Sequence, residues 1–226
     1  MEDKLIVFGL LFLEVFIFFI SFLFSLKLVK NKNIVPYMKG FYWYHFVGIV
    51  IGVIGVSELL WIGKNSFFVL LNNLSIFFHY TFLCNFIKKA TPNKSNPVLY
   101  TLIGVYIIGS VVMLGFYLNF DITNQANFAF SIAHFILFLY CVIYYLQLLN
   151  NIPQVILLKE PAFWVVTGVL FSSSLTIPIT FAGNYFGFKY LSNYLFLVSL
   201  LTVLPYIILH LFLIKAILCS TNPIRA

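Results

Sequence analysis

The groups able to do chemistry in this chain are few, and most of them interrupt apolar runs. Glu14 stands in the middle of the run 5–29, and His79, His134 and His210 each stand inside another. An ionisable side chain in such a setting is costly, so its placement is informative about function. Each also has polar company at helical spacing. Ser21 and Ser25 share the face of Glu14, and Asn72 and Ser75 that of His79. Asn127, Ser131, Cys141 and Tyr145 share the face of His134, and Ser192, Ser199 and Tyr206 that of His210. Intervals of three, four, seven and eleven put each set on one stripe of its helix. Facing stripes would form a polar cavity open or gated to the outside, with Glu58 at its mouth and Asn72 and Asn73 on its upper wall. Glu14, His79, His134, Ser173, Thr176 and His210 are the further candidates for ligand binding or proton exchange.

The ordinary use of the same residues is interhelical hydrogen bonding, worth only about 0.6 kcal/mol per bond. For the hydroxyls and amides that use is expected. Glu14 differs, because a carboxyl about 14 Å from the outer end of its helix, at 1.5 Å per residue, has no cheap structural role. It is expected to point inward, either protonated or paired with His134 at similar depth. Two facing imidazoles could hold a haem as axial ligands, and His45 and His210 both lie toward the cytoplasmic ends of their helices. No histidine pair has a distinctive spacing, however, and an interhelical hydrogen bond is the expectation. Retinal is not expected: Lys215 lies about 36 Å along the last helix from its outer start, beyond mid-membrane. The three cysteines, Cys84, Cys141 and Cys219, read as small apolar fillers, and no metal ligand set is spaced among them. With no HExxH, no nucleophile–base arrangement and no paired aspartates in the spans, an enzyme is not expected.

The elements that must position these residues are membrane helices. Of 226 residues, 62% are hydrophobic and 8% charged, and the mean hydropathy is +1.05. A soluble domain carries roughly 25% charged residues. Apolar runs at 5–29, 41–63, 66–88, 97–119, 125–149, 162–186 and 190–218 predict an all-α bundle of seven transmembrane helices, each near the crossing length of about 20 residues. The seven spans nearly consume the chain, so no separate soluble domain is expected. The first run follows an acidic start, Met1-Glu2-Asp3-Lys4, without a small-residue cleavage site, and reads as a retained anchor. Lys30-Asn31-Lys32-Asn33 with Pro36, Gly63-Lys64-Asn65, Thr91-Pro92-Asn93, Asn150-Asn151-Ile152-Pro153 and Gly187 supply the breaks.

With the N-terminus outside, Lys27, Lys30, Lys32, Lys39, Lys88, Lys89, Lys94, Lys159, Lys215 and Arg225 fall on the cytoplasmic side. Only Lys4, Lys64 and Lys189 fall outside. The positive-inside rule therefore predicts an N-out, C-in protein. An odd span number permits a three-plus-one-plus-three organisation of parallel repeats. Asn33-Ile34-Val35-Pro36 before Phe41-Tyr42-Trp43 is echoed by Asn151-Ile152-Pro153 before Phe163-Trp164. Pro178 and Pro205 are hinge candidates, since each removes a helix hydrogen bond. Gly48 and Gly52 form a GxxxG expected to serve internal packing. Pro153-Gln154 matches the dipeptide of PQ-loop transporters, but it follows the fifth span instead of lying within it.

Across Glu160-Pro161-Ala162-Phe163-Trp164, Ser172-Ser173-Ser174 and Asn184-Tyr185, with Asn73-Leu74 and His79-Tyr80, the chain resembles a family of small seven-helix bacterial inner-membrane proteins. The resemblance implies topology and location in the bacterial inner membrane, and it implies no activity. The expected function is sensory or regulatory. A small or lipid-like ligand would bind in the outer half of the bundle, and a protein partner would be engaged at the basic cytoplasmic face. A small proton-coupled transporter or channel and a structural subunit of a membrane complex are the alternatives, and nucleic acid is not an expected partner. The orientation has a direct check. A reporter fused after Arg225 is expected in the cytoplasm and one inserted near Asp121 outside, and the opposite pattern would overturn the assignment.

Overall fold

The computed structural model describes residues 2–30, 34–61, 66–91, 123–150, 157–191 and 195–221. Among them are six α-helices and no strand: α1 Glu2–Lys30, α2 Gly40–Trp61, α3 Ser66–Ala90, α4 Thr123–Asn150, α5 Pro161–Leu191 and α6 Leu195–Thr221. Each coincides with a predicted span to within a few residues, and the predicted span 97–119 lies outside the described residues. The stretches Phe12–Lys30, Ser131–Asn150, Pro161–Thr180 and Val203–Thr221 are long and apolar enough to cross a membrane.

Short motifs set the helix ends. Pro36 opens a 3-10 turn, Pro36–Lys39, whose fixed φ suits a first helical position, and Met38 N–H donates to the Val35 carbonyl at 2.9 Å. Thr91 closes α3 by donating both its N–H and its hydroxyl to the Ile87 carbonyl. Pro161 begins α5 directly after the 3-10 turn Leu157–Lys159.

The helices pack as a closed ring in chain order, each against the next, with α6 returning to α1. Their senses follow from which residues meet. Phe22 lies on Tyr42 and Phe18 on Tyr44, so α1 and α2 are antiparallel. Phe41 meets Phe86 while Tyr44 meets His79, so α2 and α3 are antiparallel as well. Between α3 and α4 the sense does not reverse: Tyr80 lies on His134, and Cys84 is within electrostatic reach of Tyr140 and Cys141. Ser131 meets Thr180 and Tyr145 meets Thr167, which makes α4 and α5 antiparallel. Trp164 under Lys215 and Phe171 on Phe212 make α5 and α6 antiparallel. Ser21 on His210, with Glu14 near Tyr206, makes α6 parallel to α1. The two triplets α1–α3 and α4–α6 thus share one up-and-down order.

The outward surface is apolar and the inward one carries the polar groups. On α1, Phe12, Phe16, Phe19, Leu23 and Leu26 are exposed at intervals of three and four, whereas Ser21, Ser25 and Leu28 are buried. That inversion suits lipid as the surrounding medium. Lys27, Lys30, Lys39, Lys88, Lys89, Lys159 and Lys215 lie on the turns and helix ends at one end of the ring, here the basic end. Tyr37 donates to Glu160 Oε1 there at 2.8 Å and so ties the α1–α2 turn to the turn before α5. Burial, with the Glu160 carboxylate beside it, holds the Tyr37 hydroxyl well above the usual phenol range. Pro178 and Pro205 lie inside unbroken helices. The Ser174 hydroxyl donates to the Leu170 carbonyl at 2.7 Å, one turn before the carbonyl that Pro178 deprives of its donor.

Close approach at three glycines sets the spacing of the ring. A Cβ on Gly48 would come within 2.3 Å of the Phe18 ring, and one on Gly52 within 2.8 Å of Val15. The GxxxG pair therefore seats α1 inside the molecule. On α5, a Cβ at Gly168 would come within 2.5 Å of Phe212 Cβ, an atom fixed to the α6 backbone. Gly168→Ala is thus expected to lower stability by about 1–3 kcal/mol, the usual range for overpacking. Gly9→Ala, which meets nothing within 4 Å, should be neutral or slightly stabilising. Thermal melts in detergent test this, and equal stability of Gly168→Ala and the parent chain would refute the close α5–α6 contact.

Candidate functional site

The four histidines of the sequence come together in the ring interior, on four different helices. His79 is within electrostatic reach of His45, His134 and His210, and so stands at their centre. Two groups of contacts radiate from it.

The first lies among α1, α2, α3 and α6. Ser21 Oγ and His210 Nδ1 share a hydrogen bond of 2.9 Å, both residues being buried. The His210 ring is 5.5 Å from that of His45, centroid to centroid, and 4.3 Å from that of Phe18, which meets it edge-on. Tyr44 Oη and His79 Nδ1 are hydrogen-bonded at 2.5 Å, and the His79 ring lies 6.1 Å from that of Tyr206. Glu14, half-buried, is within electrostatic reach of both Tyr44 and Tyr206. It sits about 24 Å from the basic end of α1 at 1.5 Å per residue. A carboxyl, two phenols and an imidazole thus converge from four helices.

The second group lies among α3, α4 and α5. The Tyr80 ring meets His134 edge-on at 5.0 Å, and His134 Nδ1 is 3.3 Å from Ser173 Oγ. Ser131 donates to Thr180 Oγ1 at 2.7 Å. His79 and Tyr80 are consecutive on α3, so this helix joins the two groups.

The candidates named from sequence divide accordingly. Glu14, His79 and His210 are brought into one group, and His134 and Ser173 into the other. Thr176 donates to the Ser172 carbonyl on its own helix at 2.8 Å. The side chains of Glu58, Asn72 and Asn73 lie outside the described residues. The expected pairing of Glu14 with His134 is not made. Similar depth suggested it, but α1 and α4 stand opposite one another in the ring, and His134 is engaged by Ser173 and Tyr80. Tyr44 went unnoticed in the sequence although it anchors His79. Its position one residue before His45 was the available signal, masked by a chain in which 20% of residues are aromatic.

Among the described residues no group of three His, Cys, Asp or Glu side chains is placed to hold a metal ion. Cys84, Cys141 and Cys219 are free, the first two buried. No protein-family profile, curated protein or solved structure matches the chain.

Chemically, the first group can hold or pass a proton and can accept a polar head group. Its coupling is measurable. Tyr44→Phe removes the partner of His79, whereas Tyr44→Phe with His79→Phe removes both polar groups and leaves neither unsatisfied. A double-mutant cycle on unfolding is expected to return a coupling of roughly 0.6–1.7 kcal/mol, the span measured for bonds inside membranes. Strict additivity would mean that the two side chains do not interact.

Proposed function

We propose that this chain is a seven-helix sensory or regulatory membrane protein, N-terminus outside and C-terminus cytoplasmic. It binds a small or lipid-like ligand at the Glu14 group and acts through a partner at its basic end. The observation that carries the reading is the convergence of Glu14, Tyr44, His79 and Tyr206 from α1, α2, α3 and α6. A ligand bonded to those side chains makes contacts with four helices at once, and any preference for one arrangement of them shifts the equilibrium of the whole ring.

The seventh span is part of the proposal. Its support is the parallel sense of α3 and α4, together with the sequence between them, in which 97–119 is long and apolar enough for one more crossing. The shared order of the two triplets likewise supports the three-plus-one-plus-three arrangement. Signal output has a candidate path. The Tyr37–Glu160 bond links turns from the two triplets at the basic end, where lysines on neighbouring helices offer a partner positive charge. That end is cytoplasmic in this reading, on the positive-inside rule.

A proton-coupled transporter is the second reading. It is favoured by the continuation of titratable groups from Glu14 through Tyr206 and His79 to His210 and His45, deeper toward the basic end.

Glu14→Gln separates the readings, because it retains shape and hydrogen bonding and deletes the ionisable group. Under the sensory reading, chain purified from native membranes carries a small molecule detectable by mass spectrometry, and Glu14→Gln retains abundance while losing it by roughly tenfold, about 1.4 kcal/mol. Proton flux in proteoliposomes that vanishes in Glu14→Gln, with no copurifying molecule, establishes transport instead. A variant matching the parent in both assays would remove Glu14 from function.

A further inference from the structure

His45 and His210 have an unmet requirement. His45 is 0% exposed, and neither of its ring nitrogens has a hydrogen-bond partner. The Phe41 backbone one turn back is close enough to interact with the ring, at a geometry short of a hydrogen bond. His210 is 1% exposed. Its Nδ1 is bonded to Ser21, and its Nε2 has no partner. Three buried ring nitrogens on two adjacent side chains are therefore unsatisfied, and burying a polar atom without a partner is destabilising. A neutral imidazole carries one N–H and one lone pair; with the His210 N–H on Nδ1 toward Ser21, both rings have a lone pair to offer.

The arrangement has the features of a ligand pair. Metal-binding histidines commonly donate the second ring nitrogen to a nearby oxygen, which fixes the tautomer. Ser21 Oγ stands in that position at His210 Nδ1, leaving Nε2 to coordinate. The Phe41 backbone is the neighbouring polar group on the His45 side. Metal–nitrogen bonds of about 2.0 Å would place two trans imidazole centroids roughly 6 Å apart, somewhat more than the observed 5.5 Å, so binding requires the two rings to part by a fraction of an ångström. The rings are inclined by 49°, which two-coordinate binding tolerates.

The identity of the ion follows from what surrounds the pair. Phe18 lies against His210, with Phe41 and Tyr44 against His45, all uncharged. A divalent ion brings about four times the desolvation cost of a monovalent one, since that cost scales with the square of charge. Zinc further seeks four ligands, and no third metal-ligating side chain is grouped with these two among the described residues. Haem requires a slot for its macrocycle between the rings. Phe18 fills the side of His210, and the approach of α1 to Gly48 closes the space beside it. Copper in its monovalent state accepts imidazole nitrogen and is content with two ligands.

We propose that His45 and His210 form a two-coordinate site for Cu(I), with Ser21 as the positioning residue of His210. The site binds the ion as Cu(I) without redox change, each imidazole coordinating through a ring nitrogen. Both ligands lie nearer the basic end than Glu14 does, and neither is among the four side chains proposed to hold the small or lipid-like ligand.

The test is a titration of purified full-length chain in detergent with Cu(I), kept reduced by ascorbate and buffered by a chromogenic chelator. One equivalent per chain is expected, with X-ray absorption giving nitrogen scatterers at about 2 Å. His45→Leu is the decisive variant, because it removes two unsatisfied nitrogens. Its apo form should melt at or above the parent temperature, while its stoichiometric copper uptake is lost. His134→Gln, in the other group, should retain uptake. Ser21→Ala should weaken it by roughly 10–100-fold, the range for second-shell partners. The proposal is overturned if the parent takes up no stoichiometric Cu(I), if His45→Leu binds as the parent does, if Zn(II) competes on equal terms, or if the protein purifies with a haem that His45→Leu abolishes.

Discussion

Hydrocarbon offers no hydrogen-bond partner, and every level of this structure answers to that fact. The backbone is satisfied by running as helices throughout the described spans. Side-chain hydroxyls meet the same demand in two ways. Ser25, Ser174 and Thr176 donate to carbonyls three or four residues back on their own helices. These need no neighbour, and they impose no tertiary constraint. An imidazole bonded by its Nδ1 to a hydroxyl on another helix has no such local remedy. Ser21 with His210, Tyr44 with His79 and Ser173 with His134 each fix one helix against another. The histidines thus hold the ring's polar register, and the glycines at 48, 52 and 168 hold its spacing.

This division explains what the sequence could and could not convey. The inward face of α1 was legible because Glu14, Ser21 and Ser25 are its polar residues and fall on one stripe, opposite Phe12, Phe16, Phe19 and Leu23. Helix boundaries were legible from Pro36 and from the break that begins at Thr91. Partnership across helices was not. Depth can be counted along a span, but it says nothing of azimuth, and two groups at one depth may face each other or stand on opposite walls. Glu14 and His134 stand on opposite walls because the seating of Phe18 and Val15 at Gly48 and Gly52 places α1 beside α2, with α6 on its other side. Tyr44 was hidden for a different reason. Tyrosine serves equally as apolar filler and as hydrogen-bond donor, so its role is decided by the partner it finds.

The join between the two triplets is the least ordinary feature. Elsewhere neighbours in the ring reverse sense or meet end to end of the chain, while α3 and α4 lie side by side in the same sense. His79 and Tyr80 occupy that seam, one contributing to the α1, α2 and α6 side through Tyr44, the other to the α4 side through His134. A shift of α3 by a fraction of a turn would alter both sets of contacts together. Two polar groups that could have been independent are therefore coupled through one helix, which is the physical requirement for a ligand on one side to be felt on the other.

Not all the imidazoles bear the same burden. His79 and His134 each find a hydroxyl for Nδ1, and His210 finds Ser21. His45 finds none, although it is the most deeply enclosed of the four. Packing alone gives no reason for a histidine there, since a leucine would occupy comparable volume without two polar atoms to desolvate. The neighbouring apolar wall of Phe41 and the adjacent Tyr44 would accept one. A residue that costs stability where an apolar side chain would not is best understood by what its lone pair can bind. In this bundle the imidazole whose ring lies against it, 5.5 Å away between centroids, is that of His210.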